Sequence, residues 1–232
     1  MVRFFRENHL STKIKVKKVE LSPNLLRTTM KYTFFTLLTF LLLFSGCAQK
    51  EIMPPIIEPT LKDNTQQRET IVQNALKHLN KKDGLDCSGF VSLVNKENNE
   101  PFFKNQELDE HFEDSRRSLA IYNLLSEHKR TFQDLPKKGD LIFFANTLKK
   151  YAKNKGEDNI THIGIVTKID EDETVHFIHH TKGKNLIGYM NQNFPKVALH
   201  NGKTVNSYME KCSANNAKCL APSYFSAYGS IK

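Results

Sequence analysis

Gly84-Leu85-Asp86-Cys87-Ser88-Gly89-Phe90-Val91 is the stretch on which the reading of this chain turns. A polar, glycine-containing turn ends at Asp86, and an apolar, helix-capable run begins at Phe90, so Cys87 lies where a helix would start. The unpaired N–H groups and the dipole of a helix N-terminus favour negative charge; a thiolate is stabilised there and its pKa falls. That is the setting a thiol nucleophile needs. Ser88 and Asp86 add polar groups around the sulfur, and Gly89 keeps the first turn open. Free cysteine is also among the most buried residue types, so from these eight residues a small core residue is an equally good reading.

Upstream, residues 65 to about 80 carry Ile71, Val72, Ala75, Leu76 and Leu79 at helical spacing, which predicts an amphipathic helix closed by Lys81-Lys82-Asp83-Gly84. Downstream, a second helix starts near Cys87 with Phe90, Val91 and Val94 facing inward. Residues 98–113 are polar with scattered Phe and read as loop, and 115 to about 129 form a third helix. The pattern then changes. Lys138-Gly139-Asp140 is a turn feeding the strand Leu141-Ile142-Phe143-Phe144. Residues 146–159 are a Lys- and Asn-rich loop. Strands follow at 161–168, 174–180 and 186–190, the first two joined by an acidic hairpin turn at 170–173. Helices first and consecutive strands after predict an α+β fold, with an antiparallel sheet and helices on one side.

A thiol nucleophile needs a base. His162 opens one strand and His179 lies late in the next. Neighbouring antiparallel strands can bring two imidazoles onto one sheet face. Cysteine, base and a third polar group that orients the base make the general layout of thiol acyl transfer. His176 and His180 share the opposite face from His179 by alternation and replace it only if a bulge shifts the register. His9, His78, His111, His128 and His200 read as surface or loop groups.

The formal charge of +9 is unevenly placed. Residues 1–31 hold eight Lys or Arg against Glu7 and Glu20, leaving 26 basic against 23 acidic in the remainder. No basic stripe interleaved with aromatics follows, which argues against nucleic acid as a partner. Residues 33–46 form an apolar run of about 14, short for a membrane span and suited to the core of a signal peptide. With Lys31 before it and Ser45-Gly46 ahead of Cys47, residues 30–46 resemble a bacterial lipoprotein signal, with Phe44 where an aliphatic is usual. Cys47 is then the lipidated first residue, which anchors the chain to a membrane, and Ala48 after it favours the periplasmic face of an outer membrane. Residues 1–29 read as an over-long start or an extended leader. Three prolines make 47–65 a semi-extended tether, and 66–232 the folded domain. In an oxidising compartment Cys212 and Cys219, with six residues between them, read as a disulfide; two free thiols or half a metal site are the alternatives.

Four segments in order carry a resemblance: Asp86-Cys87-Ser88-Gly89-Phe90-Val91, Gly139-Asp140-Leu141-Ile142-Phe143-Phe144, His162-Ile163-Gly164-Ile165-Val166 and Phe177-Ile178-His179. Together they resemble the NlpC/P60 family of cysteine peptidases over roughly residues 66–192. The resemblance implies a papain-like fold of N-terminal helices on an antiparallel sheet. It implies a monomeric enzyme without metal or organic cofactor that cuts peptidoglycan stem peptides, many relatives doing so between D-glutamate and the diamino acid. It also implies Cys87 as nucleophile, His162 as general base and then acid, and His179 as the orienting third member. Asp86 and Ser88 match positions that in relatives hold the free amine of the stem peptide. Relatives usually carry a Tyr and a Gly-Gly pair shortly before the cysteine; here His78-Leu-Asn-Lys-Lys-Asp-Gly-Leu-Asp86 has one Gly and no Tyr. The backbone N–H of Cys87 is then the candidate oxyanion donor. Rival readings are a thiol amidase or acyltransferase on a related fold, a non-catalytic wall-binding lipoprotein, and a metal binder built on Cys87 and the histidines.

Overall fold

The computed structural model describes residues 64–151, 156–210, 212 and 216–232, all within the unit Thr60–Lys232. The leader 1–29, the segment 30–46, Cys47 and the tether up to residue 63 lie outside the described residues. The first helix, α1 (Thr65–Lys77), buries Ile71, Val72 and Ala75 of the expected stripe, while Leu76 is exposed and Leu79 lies past the helix end. Helix α2 (Cys87–Glu97) is capped by Asp86, whose carboxylate accepts the Gly89 N–H at 2.7 Å, and it buries Phe90, Val91 and Val94.

Residues 98–113 depart from the expected loop. They hold a one-turn helix, α3 (Asn105–Leu108), and a 3-10 turn, Asp109–His111. Phe102, Phe103 and Leu108 are core residues here. The buried Asn95 side chain fastens this segment to α2 by donating to Phe103 O at 2.8 Å and accepting from Phe102 N at 3.0 Å. Three apolar residues without periodicity gave no helical signal; burial and the Asn95 bonds order them. Helix α4 (Arg117–Glu127) follows and buries Leu119, Ile121, Leu124 and Leu125.

The strands are β1 (Thr131–Phe132), β2 (Leu141–Ala145), β3 (Ile160–Ile169), β4 (Val175–Thr181), β5 (Lys184–Met190), a small pair β6 (Leu199–His200) and β7 (Lys203–Thr204), and β8 (Phe225–Gly229). Six form one antiparallel sheet in the order β1-β8-β2-β3-β4-β5. The C-terminal strand β8 therefore inserts beside β2, which no local pattern announces. Leu141, Phe143, Ile163, Ile165 and Ile178 face the helices. Ile142, Phe144, Val166, Phe177 and Tyr228 face the other way and are covered partly by Met209, Ala221 and Tyr224 of the C-terminal segment. With both faces covered, all five residues of β2 are buried, which explains its unbroken apolar run.

Gly139 and Asp140 of the second segment are structural. Gly139 turns the chain with φ +85°, and Asp140, almost fully buried, accepts the Lys137 N–H at 2.8 Å and pairs with Arg68 of α1 at 2.6 Å. The structure joins Cys212 and Cys219 in a disulfide with their Cα atoms 6.3 Å apart. Closing so short a loop contributes about 2–3 kcal/mol. Thiol titration of the denatured, unreduced domain lacking Cys47 is expected to find one free cysteine; three would refute the bond.

Candidate active site

The turn that presents Cys87 is held by close backbone packing. Gly84 has φ +90°, and its carbonyl lies so near Gly89 that a Cβ on Gly89 would fall 1.9 Å from it. The glycine two residues after the cysteine is thus needed for this approach, and any side chain there would push the turn off the helix. Leu85 also adopts a left-handed conformation, φ +69°, with its side chain exposed. The Asp86 Oδ1 atom caps α2 and accepts the Ser88 hydroxyl at 2.9 Å. Cys87 is the free cysteine among the described residues. It packs against the helix-side core and meets β3 at the backbone N–H of Ile163, the residue after His162.

His162 and His179 meet directly: His162 Nε2 lies 2.7 Å from His179 Nδ1, with the rings nearly perpendicular. Two features of β3 allow this. The β2–β3 pairing slips between Phe144 and Ala145, so His162 faces Phe144 while Ile160 faces Ala145. The extra residue, Thr161, leaves the ladder, and its hydroxyl accepts the Thr147 N–H at 2.8 Å. Gly164, two residues on, lies across from β4. A Cβ there would meet Ile178 O at 2.9 Å, Phe177 Cδ2 at 3.1 Å and His179 Cβ at 3.3 Å. The missing side chain leaves the space in which His179 lies diagonally against His162. Phe144 and Phe177 flank the two imidazoles.

The other two histidines of β4 go elsewhere. A bulge lies between the Val166–Phe177 and Lys168–His176 pairs, on the hairpin side of His179, and leaves the His179 position unshifted. His176 bonds Asp170 at 2.8 Å, and His180 bonds Asn185 Oδ1 at 2.9 Å.

Burial sets the protonation of the three groups. It pushes the Cys87 thiol up to about 11; the Ile163 N–H acts against this, and the Asp86 charge adds to it. It pushes His162 down to about 4, opposed by the charge of Asp86 and assisted by His180. It holds His179 well below the ordinary imidazole value, with His162, His180 and Lys182 acting the same way. Each net shift favours the neutral form.

Asn185 was not legible as a site residue. It is fully buried on β5 and pins the segment that leads into Cys87. Its Nδ2 donates to His78 O at 3.1 Å and to Asp83 O at 3.2 Å. Its own backbone accepts from Asn80 N and donates to Lys81 O, both at 2.8 Å. His78, read as a group without a role, closes the same segment by bonding Asp83 at 2.6 Å and Glu97 at 3.1 Å. The strand read from the sequence starts at 186, one residue later, where an asparagine is ordinary, so no local signal marked it. Asn185→Ala leaves the Asp83 carbonyl and one His180 imidazole nitrogen without the partner they have here, while His78 O keeps the Lys81 N–H, and is expected to cost about 3 kcal/mol of stability in urea unfolding. A loss below about 0.5 kcal/mol would mean the segment holds itself.

A cavity of about 340 Å³ opens at Cys87, lined by Asp86, Cys87 and Ser88 on one side and by Arg117, Lys150 and Tyr151 on another. A larger one, about 750 Å³, borders His179 and runs between β5 and residues 196–208. The arrangement offers a sulfur on a helix N-terminus, an imidazole pair of half-buried His162 and buried His179 whose strand β3 meets that sulfur at Ile163, and a cleft on the sulfur. A family model described as the NlpC/P60 family matches residues 77–208, more than half of the chain. No curated protein and no solved structure matches it.

Proposed function

Because the chain belongs to the NlpC/P60 family, whose members are cysteine-type peptidases acting on peptidoglycan peptides, we propose that it hydrolyses peptidoglycan stem peptides with Cys87, His162 and His179, at the bond between D-glutamate and the diamino acid. The observation that carries this reading is the 2.7 Å contact between His162 Nε2 and His179 Nδ1, next to the strand position where Cys87 meets β3.

The contact supports one pair of tautomers for this role. A base that accepts the thiol proton must have its Nδ1 lone pair free. His162 then carries its proton on Nε2 and donates it to His179 Nδ1, which leaves the His179 proton on Nε2. Nδ1 of His162 takes the proton from Cys87 Sγ as the sulfur attacks the peptide carbonyl. The N–H of Cys87, at the open end of α2, meets the developing oxyanion. His162 next gives its proton to the leaving amine, the C–N bond breaks, and the acyl group stays on sulfur. Water, deprotonated by His162, attacks the thioester and releases the acid. His179 touches no reacting atom and acts by holding the imidazole. Asp86 and Ser88 line the cleft and support binding of the free amine of the acyl half. The chain works from a membrane through a lipid on Cys47 at the periplasmic face of an outer membrane.

The test is mass spectrometry of sacculi digested with wild-type protein and with Cys87→Ala. New fragments ending in D-glutamate, absent with Cys87→Ala, are expected; an unchanged digest would leave a wall-binding role. For the anchor, Cys47→Ala is expected to release the protein from membranes, and retention there would refute lipidation.

A further inference from the structure

Strand β5 is the last strand of the sheet, and its outer edge is closed at two places. The Asn185 backbone donates to Lys81 O and accepts from Asn80 N, both at 2.8 Å. Tyr189 N donates to Ser207 Oγ and Tyr189 O accepts from Ser207 N, both at 2.9 Å. Backbone groups alternate in direction along a strand, so the N–H and carbonyl of Ile187, midway between these points, also face away from β4. They meet no partner among the described residues, and Ile187 is 37 % exposed. The open stretch from 185 to 189 is about 13 Å long.

The cavity of about 750 Å³ lies on this gap. Leu186 and Ile187 point to opposite faces of the sheet, yet both line the cavity, so it opens along the edge between them. Ile187, Val197 and Leu199 are exposed large apolar side chains, and all three line it. Apolar exposure gathered in one place marks a binding surface. Lys182 and Lys196 line it too, and among the described residues no Asp or Glu does.

An open N–H and carbonyl on a sheet edge pair with an extended peptide, while the surrounding walls select its side chains. An aliphatic ligand without peptide groups leaves both unpaired. We propose that this groove binds an extended segment of a partner protein, rich in aliphatic and acidic residues, which adds a strand beside β5 by pairing with Ile187. Its carboxylates meet Lys182 and Lys196, and its aliphatic side chains meet Val197 and Leu199. The inference stands apart from the peptidase reading, because it uses no property of Cys87.

The test is fluorescence anisotropy of the chain carrying Cys87→Ala, with a labelled eight-residue peptide of alternating Val and Glu as probe. Saturable binding is expected. Lys182→Gln and Lys196→Gln should each weaken it about 2- to 5-fold, the range of a partly exposed ion pair. Lys138→Gln, away from the cavity lining, should not and controls for net charge. A probe with Gln for every Glu should bind about 5- to 10-fold more weakly. Ile187→Pro removes the outward N–H without removing a bond to β4, and should cost about 5- to 10-fold, the loss of one hydrogen bond. Two further probes, N-methylated on the valines or on the glutamates, make the same test on an unaltered edge. Only alternate residues of an added strand face β5, so one of the two should bind like the parent and the other should lose affinity. No saturable binding, equal affinity for the Gln probe, or equal affinity of the two methylated probes overturns the inference.

Discussion

Iodoacetamide is expected to modify wild-type Cys87 at a rate that changes little between about pH 5 and pH 8 and then rises towards pH 11, because the Cys87–His162 pair gains a proton only near 4 and the free thiolate takes over only as the pH approaches 11. His162 is depressed, so above about 4 it is an unprotonated acceptor. Cys87 is raised, so below about 11 the pair still holds one proton. In between, that proton can pass from sulfur to imidazole without changing the net charge, and the mutual attraction of the two ions supports the transfer. A resting thiolate–imidazolium pair, expected from the helix N-terminus, is thus opposed by burial and depends on His162.

Replacing His162 with Gln removes the acceptor and leaves burial alone. The plateau should become a line rising one decade per pH unit towards pH 11, the value to which burial pushes the thiol. At pH 6 the variant should react about 100-fold more slowly than an ordinary free cysteine. Peptide cleavage should fall by about four orders of magnitude, the upper range for loss of a general acid–base. If His162→Gln keeps the wild-type plateau, His162 is not the base and the assignment is wrong.

Gly164→Ala is the second large effect. Its Cβ would meet the Ile178 carbonyl and His179 Cβ at 2.9 and 3.3 Å, so β3 and β4 must part or His179 must turn. Either change breaks the 2.7 Å contact that orients His162. A displacement of about 1 Å at a catalytic group costs about 100-fold in rate. The loss should fall on kcat with little change in KM, since Gly164 lines neither cavity. Two controls separate positioning from unfolding. The alkylation plateau should survive, because Cys87 and His162 remain. The double variant Gly164→Ala/His179→Ala should be no slower than His179→Ala alone, because both act through one ring. Additive losses would show that Gly164 supports the site by some other route.

The helices and central strands were readable because their signals are local. Apolar spacing in α1, the Asp-Cys-Ser-Gly start of α2 and the alternation in β4 each depend on near neighbours in sequence. Alternation alone put His179 on the opposite face from His176 and His180, and the structure keeps that division because the β3–β4 bulge lies beyond it. Gly164 could have been read as a close approach from its place inside a strand, but not what approaches it.

The remainder required the tertiary fold. The partners of Asn185, at His78 and Asp83, are more than a hundred residues away, and an amide's bonds to a distant backbone leave no periodic trace. The insertion of β8 beside β2 is settled by covering the second sheet face, a global requirement. Burial also reverses the simple electrostatic expectation at Cys87, because a helix end stabilises a thiolate by charge while a packed core penalises any ion. Local order along the chain sets which groups can do chemistry and on which elements they ride. Their solvation, their neighbours and the charge of the cleft in front of them come from the folded chain, because residues from distant segments meet there.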